Sequence, residues 1–182
     1  MALTFGIEVE AIVVKRRQSQ TPLPAIDLKQ LQLVSDCLTA SGLQSRVFIP
    51  TARTLGPDFT IWNVVQDITI EELTSQSDSS PSGAVQRFGV EIVSPIFRLD
   101  DASWRTDISK AVQAVSAELV WKANRSAGFH VHVGTTGADQ SDEFTLSQLK
   151  RIAVMVIRFE ASMDSYHPTH RIEGNHKYNV QP

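Results

Sequence analysis

An α+β fold, a mainly antiparallel sheet backed by helices, is what the sequence predicts, on three observations. Several short stretches alternate apolar and polar residues with period two, which marks half-buried strands. Three longer stretches space apolar residues as amphipathic helices do, and the two kinds are interspersed along the chain. The link from Ile49 to Ile61 is short, so the strands flanking it are expected to pair antiparallel.

The first strand is Phe5-Gly6-Ile7-Glu8-Val9-Glu10-Ala11. Its alternation turns Phe5, Ile7 and Val9 to one side and Glu8 and Glu10 to the other. A loop around Pro22 and Pro24 follows, then a helix over 27–41 with Leu31, Val34 and Leu38 on one stripe and Gly42 as its C-terminal stop. Strands are predicted over Ser45 to Ile49 and Ile61 to Thr69, divided by a loop containing Gly56 and Pro57. The Ser-rich, acidic stretch from Glu71 to Gln86 has almost nothing to bury and is predicted to be a flexible surface loop.

Alternation resumes at Phe88-Gly89-Val90-Glu91-Ile92-Val93 and stops at Ser94-Pro95. A helix is predicted over 103–120, with Ile108, Ala111, Val112, Val115 and Leu119 as its apolar stripe. Gly128-Phe129-His130-Val131-His132-Val133-Gly134 is a strand with both histidines on the face opposite its apolar residues. The last helix starts at a capping-box pair, Thr145 with Gln148, and its stripe runs Leu149, Ile152, Val156, Phe159, Met163. There is no internal repeat, and one domain spans 1–182.

Composition narrows the function. Hydrophobic residues make up 42% of 182, enough for a core, and the net charge is only −3. Without a basic block, nucleic acid and anionic membrane are not expected partners; Lys15-Arg16-Arg17 reads as a solvated strand end. Cys37 is the single cysteine, so the chain has no intrachain disulfide and no thiolate zinc site. Glu8 and Glu10 interrupt the apolar N-terminus, which does not read as a signal peptide, and no stretch is long enough to cross a bilayer. A cytoplasmic location is expected.

The chemistry lies in three strands that each put ionisable groups on one face: Glu8 with Glu10, Glu91, and His130 with His132. Asp67, on the face of Val65 and Thr69, is expected to add a fourth strand. If the apolar faces all pack on helices, the polar faces share one surface. Two ionised Glu two positions apart lie about 6.6 Å from each other and repel by roughly 2.5 kcal/mol at an effective dielectric near 20. Open water, protonation or divalent cations can relieve this. Carboxylates with imidazole and no thiolate suit Mg²⁺ or Mn²⁺ acting on phosphates better than structural zinc. Singly, each motif has a bland counterpart: a Glu-x-Glu strand is usually a solvated sheet face, and His-x-His is often a hydrogen-bonded surface pair. Gly128 and Gly134 let backbone or ligand approach, though strand-end turns select glycine too.

Phe5-Gly6-Ile7-Glu8-Val9-Glu10, Trp62 followed by Asp67, Gly89-Val90-Glu91-Ile92-Val93-Ser94-Pro95, Gly128-Phe129-His130-Val131-His132-Val133-Gly134, and Glu160 followed by Arg171 and Asn179 stand in this order. This set resembles the amidoligases, which belong with glutamine synthetases and glutamate–cysteine ligases in one carboxylate–amine ligase superfamily. The resemblance covers nearly the whole chain. It implies a curved, glutamine-synthetase-like sheet holding ATP and Mg²⁺ (or Mn²⁺) on its concave face. Glu8, Glu10, Glu91 and His130 are implied as metal ligands, and His130 and Arg171 as groups that meet the cofactor's phosphates. Arg171, Asp67 and His132 are implied as catalytic residues. A small or peptide-borne carboxylate and an amine would be the substrates, joined through an acyl phosphate. Two departures are visible. Asp67-Ile68-Thr69 replaces the family's usual Asp-x-Ser, and family members continue beyond the equivalent of Asn179, so the C-terminal part of the family domain is expected to be missing. Two other classes stay open: a metal- or nucleotide-binding regulatory module without turnover, and a hydrolase or oxygenase using His130, His132 and a Glu.

Overall fold

The computed structural model describes residues 3–15, 28–50, 56–70, 87–135 and 143–172, without the side chains of Val14, Lys15, Arg87, His170 and Arg171. The loops expected at Pro22–Pro24 and over 71–86 lie outside these residues, as does Asn179. The chain forms two compact units, Met1–Thr136 and Gly137–Pro182.

In the first unit, seven strands make one mostly antiparallel sheet: β1 (Leu3–Lys15), β2 (Ser45–Val47), β3 (Trp62–Gln66), β4 (Arg87–Val93), β5 (Phe97–Arg98), β6 (Leu119–Lys122) and β7 (Phe129–Thr135). The long β1 is its axis. It pairs with β4 and then β5 along one side, and with β7 and then β6 along the other. The apolar sides of β1, β3 and β4 pack on α1 (Leu28–Ala40) and α2 (Ser103–Glu118), whereas Phe129, Val131 and Val133 of β7 are exposed. Ile7 and Val13 of β1 meet Val64, Val90 and Ile92 there, with Val34 and Leu38 from α1 and Val115 from α2. Burying one such side chain fully contributes about 1.5–3 kcal/mol, so this layer fixes which face of the sheet is left for chemistry.

The helix α1 ends as its glycine predicts. Gly42 has φ +86°, and the Leu43 and Gly42 N–H groups donate to the carbonyls of Leu38 and Thr39. Phe5 packs against Phe97 and Trp104 at 5.5 and 5.1 Å between ring centroids, tying β5 and α2 to the start of β1. Where β4 leaves β1, the buried Ser94 replaces the strand pairing: its N–H donates to the Ile7 carbonyl, and its Oγ accepts from the Ile7 N–H at 2.9 Å. That bond holds the backbone next to Glu8.

Three expectations are corrected. The strands β2 and β3 pair parallel, Ser45 opposite Trp62, because the residues after Val47 are enough to cross over and return in the same direction. The helix predicted over 103–120 ends at Glu118; Leu119–Lys122 leaves as β6 to pair with β1, and Val112 is exposed. β3 ends at Gln66, so Asp67 sits in the turn after the strand rather than within it.

That turn crosses β4 closely at Gly89, where a Cβ would stand 2.8 Å from the Asp67 carbonyl oxygen and 3.0 Å from Ile70 Cβ. Gly89→Ala is expected to cost about 1–3 kcal/mol, because backbone rather than a mobile side chain must yield. A urea melt of both proteins checks this, and an unchanged midpoint would contradict it.

The second unit contains α3 (Leu146–Asp164) and the single turn α4 (Thr169–Ile172). The predicted capping box is present: the Gln148 N–H donates to Thr145 Oγ1, and Gln148 Oε1 accepts from the Thr145 N–H at 2.8 Å. None of the described residues forms a helix long and apolar enough to cross a membrane.

Candidate functional site

Residues directly opposite in an antiparallel pair point to the same face. Glu10 lies opposite Glu91 on β4, and Glu8 lies opposite His130 and Gly6 opposite His132 on β7. The alternation of three strands therefore collects Glu8, Glu10, Glu91, His130 and His132 on the sheet face turned away from α1 and α2. The five predicted residues of β1, β4 and β7 are brought together, while Asp67, the sixth, stands in the turn after β3.

Their side chains are linked diagonally. His130 Nε2 lies 3.0 Å from Glu10 Oε1, and His132 Nε2 lies 2.9 Å from Glu8 Oε2. The imidazoles are half or more exposed, whereas the Glu10 side chain retains only 14% of its surface. Glu10 is also the most firmly held: its Oε2 accepts from the Gly128 N–H at 2.7 Å, and its own N–H donates to the Gly128 carbonyl.

Glu91 on β4 is half-buried beside the two acids of β1. Burial first, then the charges of Glu8, Asp67 and Glu10, then a hydrogen bond to Glu8, push its carboxyl from an ordinary 4.5 up to about 7. Near neutral pH it therefore holds a proton much of the time. Asp67, although outside the strand, is close enough to act on Glu91. Its Oδ1 accepts from the N–H and Oγ1 of Thr69, both at 2.7 Å, so Thr69 orients this carboxylate.

A cavity of about 360 Å³ opens beside this cluster, and Glu8, His132, Gly6, Gly134, Phe59 and Ile96 are among the residues that line it. A second hollow, about 680 Å³, runs along α3 and is lined by that one helix, without a carboxylate. Of these two, the first has a carboxylate and an imidazole in its lining.

The donor set of carboxylates and imidazoles suits a hard divalent cation, which would offset both the burial and the neighbouring charges that raise Glu91. As the side chains stand, each imidazole is taken by one Glu, and no three His, Cys, Asp or Glu among the described residues converge as a ready metal centre. Loading the site would exchange the two Glu–His pairs for bonds to the ion. Glu8, Glu10, Glu91 and His130 are the groups available to do so.

Of the remaining predicted residues, Arg171 lies in α4 of the second unit, with its side chain outside the described set, and Glu160 is exposed on α3. The sequence reading did not single out Arg46 or the cradle that Gly128 makes for Glu10. The glycine beside His-x-His was the available signal for the second. A Cβ at Gly128 would fall 2.6 Å from His130 Nε2 and 3.1 Å from Glu10 Oε2. Because those are side-chain ends, Gly128→Ala is expected to push the imidazole aside at little cost in stability while weakening divalent-cation affinity by roughly 10-fold or more. Calorimetric Mg²⁺ titration alongside a thermal melt checks it; unchanged affinity would contradict the cradle.

Acids and imidazoles collected from three strands on the open face of a helix-backed, mostly antiparallel sheet define the class of site: a carboxylate–imidazole face beside a cavity. The model of the family described as "Putative amidoligase enzyme" matches residues 1–180, and the chain belongs to that family. The description names an amide-forming ligase, with which the site is consistent. No curated protein and no solved structure matches the chain.

Proposed function

We propose that the protein is an ATP- and Mg²⁺-dependent carboxylate–amine ligase with a glutamine-synthetase-like site. The observation that carries this is the convergence of Glu8, Glu10 and Glu91 with His130 on one face beside a cavity, in a member of an amidoligase family. A carboxylate is a poor electrophile. Transfer of the γ-phosphoryl group of ATP to its oxygen gives a mixed anhydride and ADP; attack by an amine nitrogen at the carbonyl carbon then forms the amide and expels phosphate.

Bound Mg²⁺ would neutralise charge on the phosphoryl oxygens during transfer. Glu8, Glu10, Glu91 and His130 would hold it, and the resemblance to the family implies a role for Arg171 toward the transferred phosphoryl group. His132, on the same face beside these groups, would accept the proton that the amine loses once Glu8 has exchanged it for the ion. Asp67 would sit near the substrate end of the face and help orient the amine.

Purified protein given Mg²⁺ and ATP is expected to release ADP and phosphate only when both acid and amine are supplied. Activity indifferent to nucleotide would point to a metal-dependent hydrolase or oxygenase instead. A second reading, a nucleotide- or metal-binding module without turnover, is favoured by one observation: both imidazoles are already occupied by carboxylates. Mg²⁺-dependent ATP binding with no product across a broad acid and amine panel would select it.

A further inference from the structure

At the far edge of the same sheet face stands a cation that the site as described does not use. Arg46 on β2 lies opposite Asn63, which is fully buried. Asn63 Oδ1 accepts from Arg46 Nε at 3.0 Å, and its Nδ2 donates to the carbonyls of Asp58 and Ile61 at 2.8 and 3.0 Å. The buried amide thus fixes one edge of the guanidinium. The plane of Phe48 supports it, with Cζ 5.7 Å from the ring centroid. Among the described residues no hydrogen bond engages its two terminal amino groups, the fork that binds a planar anion in bidentate fashion. The Asp58 carboxyl is held low first by Thr60, whose Oγ1 and N–H donate to its Oδ1, and least by Arg46, which makes no hydrogen bond to it.

The register connects this fork to the acids. Val65 lies opposite Glu91, and Glu91 opposite Glu10. Phe48 follows β2 and donates its N–H to the Val64 carbonyl, so it stands beside Val65. Phe48, just past β2, and Val65, Glu91 and Glu10 on β3, β4 and β1 form a row of partly buried side chains. At about 4.8 Å per strand, the Phe48 end is roughly 10 Å from Glu91. Among the described side chains of β1, β2, β3, β4 and β7, Arg46 is the one Lys or Arg. The row therefore has a cation-seeking end, an apolar middle and an anion-seeking end.

We infer that Arg46, anchored by Asn63 over Phe48, is a subsite for a second carboxylate of the acid substrate, so that the site selects dicarboxylic acids with an aliphatic spacer over monocarboxylates. This rests on the ligase reading for the end of the row where the reacting carboxylate lies. An anchored guanidinium discriminates by charge and by the paired geometry of two oxygens, which an ammonium cannot reproduce.

The test is calorimetric titration of the intact chain, with Mg²⁺ present, by glutarate, adipate, pimelate and suberate and by monocarboxylates of matching length. One dicarboxylate is expected to bind at least about 10-fold more tightly than its monocarboxylate partner. Arg46→Gln should abolish that preference and Arg46→Lys should keep part of it, while the variants' Mg²⁺ and monocarboxylate affinities match wild type and report an intact fold. Lack of preference in the wild-type protein, or a preference that survives Arg46→Gln, overturns the inference. So does a loss of ATP affinity in Arg46→Gln without a dicarboxylate preference, which would assign the fork to a nucleotide phosphate. Absence of Mg²⁺ binding to the wild-type chain would sink the ligase reading separately.

Discussion

Converting Glu8 and Glu10 together to Gln is expected to weaken Mg²⁺-dependent ATP binding by at least about 100-fold, since even groups one step removed from a metal cost 10- to 100-fold. The fold should survive. Gln retains the volume of Glu, its carbonyl can still accept from the Gly128 N–H that now meets Glu10 Oε2, and the apolar side of β1 is untouched. Two of the charges that act on Glu91 disappear at once, so the double variant is expected to melt no lower than the wild-type chain near neutral pH. Calorimetry for binding and a thermal melt for folding separate the two effects. Equal ATP binding by both proteins would show that this face is only a solvated set of acid–imidazole pairs.

The second large effect is a pH dependence of stability carried by Glu91. Its carboxyl lies at about 7 in the folded chain and at an ordinary 4.5 when freed from its neighbours. The folded state therefore retains a proton that the unfolded state releases. Its contribution is fully present below 4.5, declines as pH rises toward 7, and is gone above that value. The metal-free protein should melt at progressively lower temperature from about pH 5 to about pH 8. Glu91→Gln cannot ionise and should flatten that slope, and saturating Mg²⁺ should flatten it in the wild-type protein by favouring the ionised carboxylate. Equal slopes for Glu91→Gln and wild type would mean that the raised carboxyl is not what limits stability there.

Much of this site is legible in strand periodicity. Once Ile7 and Val13 are committed to a core with Val90 and Ile92, a period of two leaves Glu8, Glu10 and Glu91 no choice of side, and the register of β7 on β1 rather than burial places His130 and His132 there too. Local signals also specify the ends of elements, as Gly42 and the Thr145–Gln148 pair show. What periodicity does not carry is decided by contacts distant in sequence. The parallel pairing of β2 with β3 depends on the path taken between them, and β6 is a strand because β1 offers an open edge to residues whose spacing alone reads as helix. The diagonal choice of His130 for Glu10 and His132 for Glu8 depends on side-chain reach across the pleat. Arg46 acquires meaning only through Asn63, 17 residues later, and so has no motif in the sequence.

That Glu8, Glu10, Glu91 and His130 jointly hold divalent cations can be tested most directly with a crystal grown with Mn²⁺ and ATP, measured at the manganese absorption edge. The account predicts an anomalous peak within bonding distance of carboxylate oxygens from Glu8, Glu10 and Glu91, with His130 turned away from Glu10 toward the ion. A peak elsewhere with both Glu–His pairs unbroken, or bound nucleotide without any peak on this face, would contradict it.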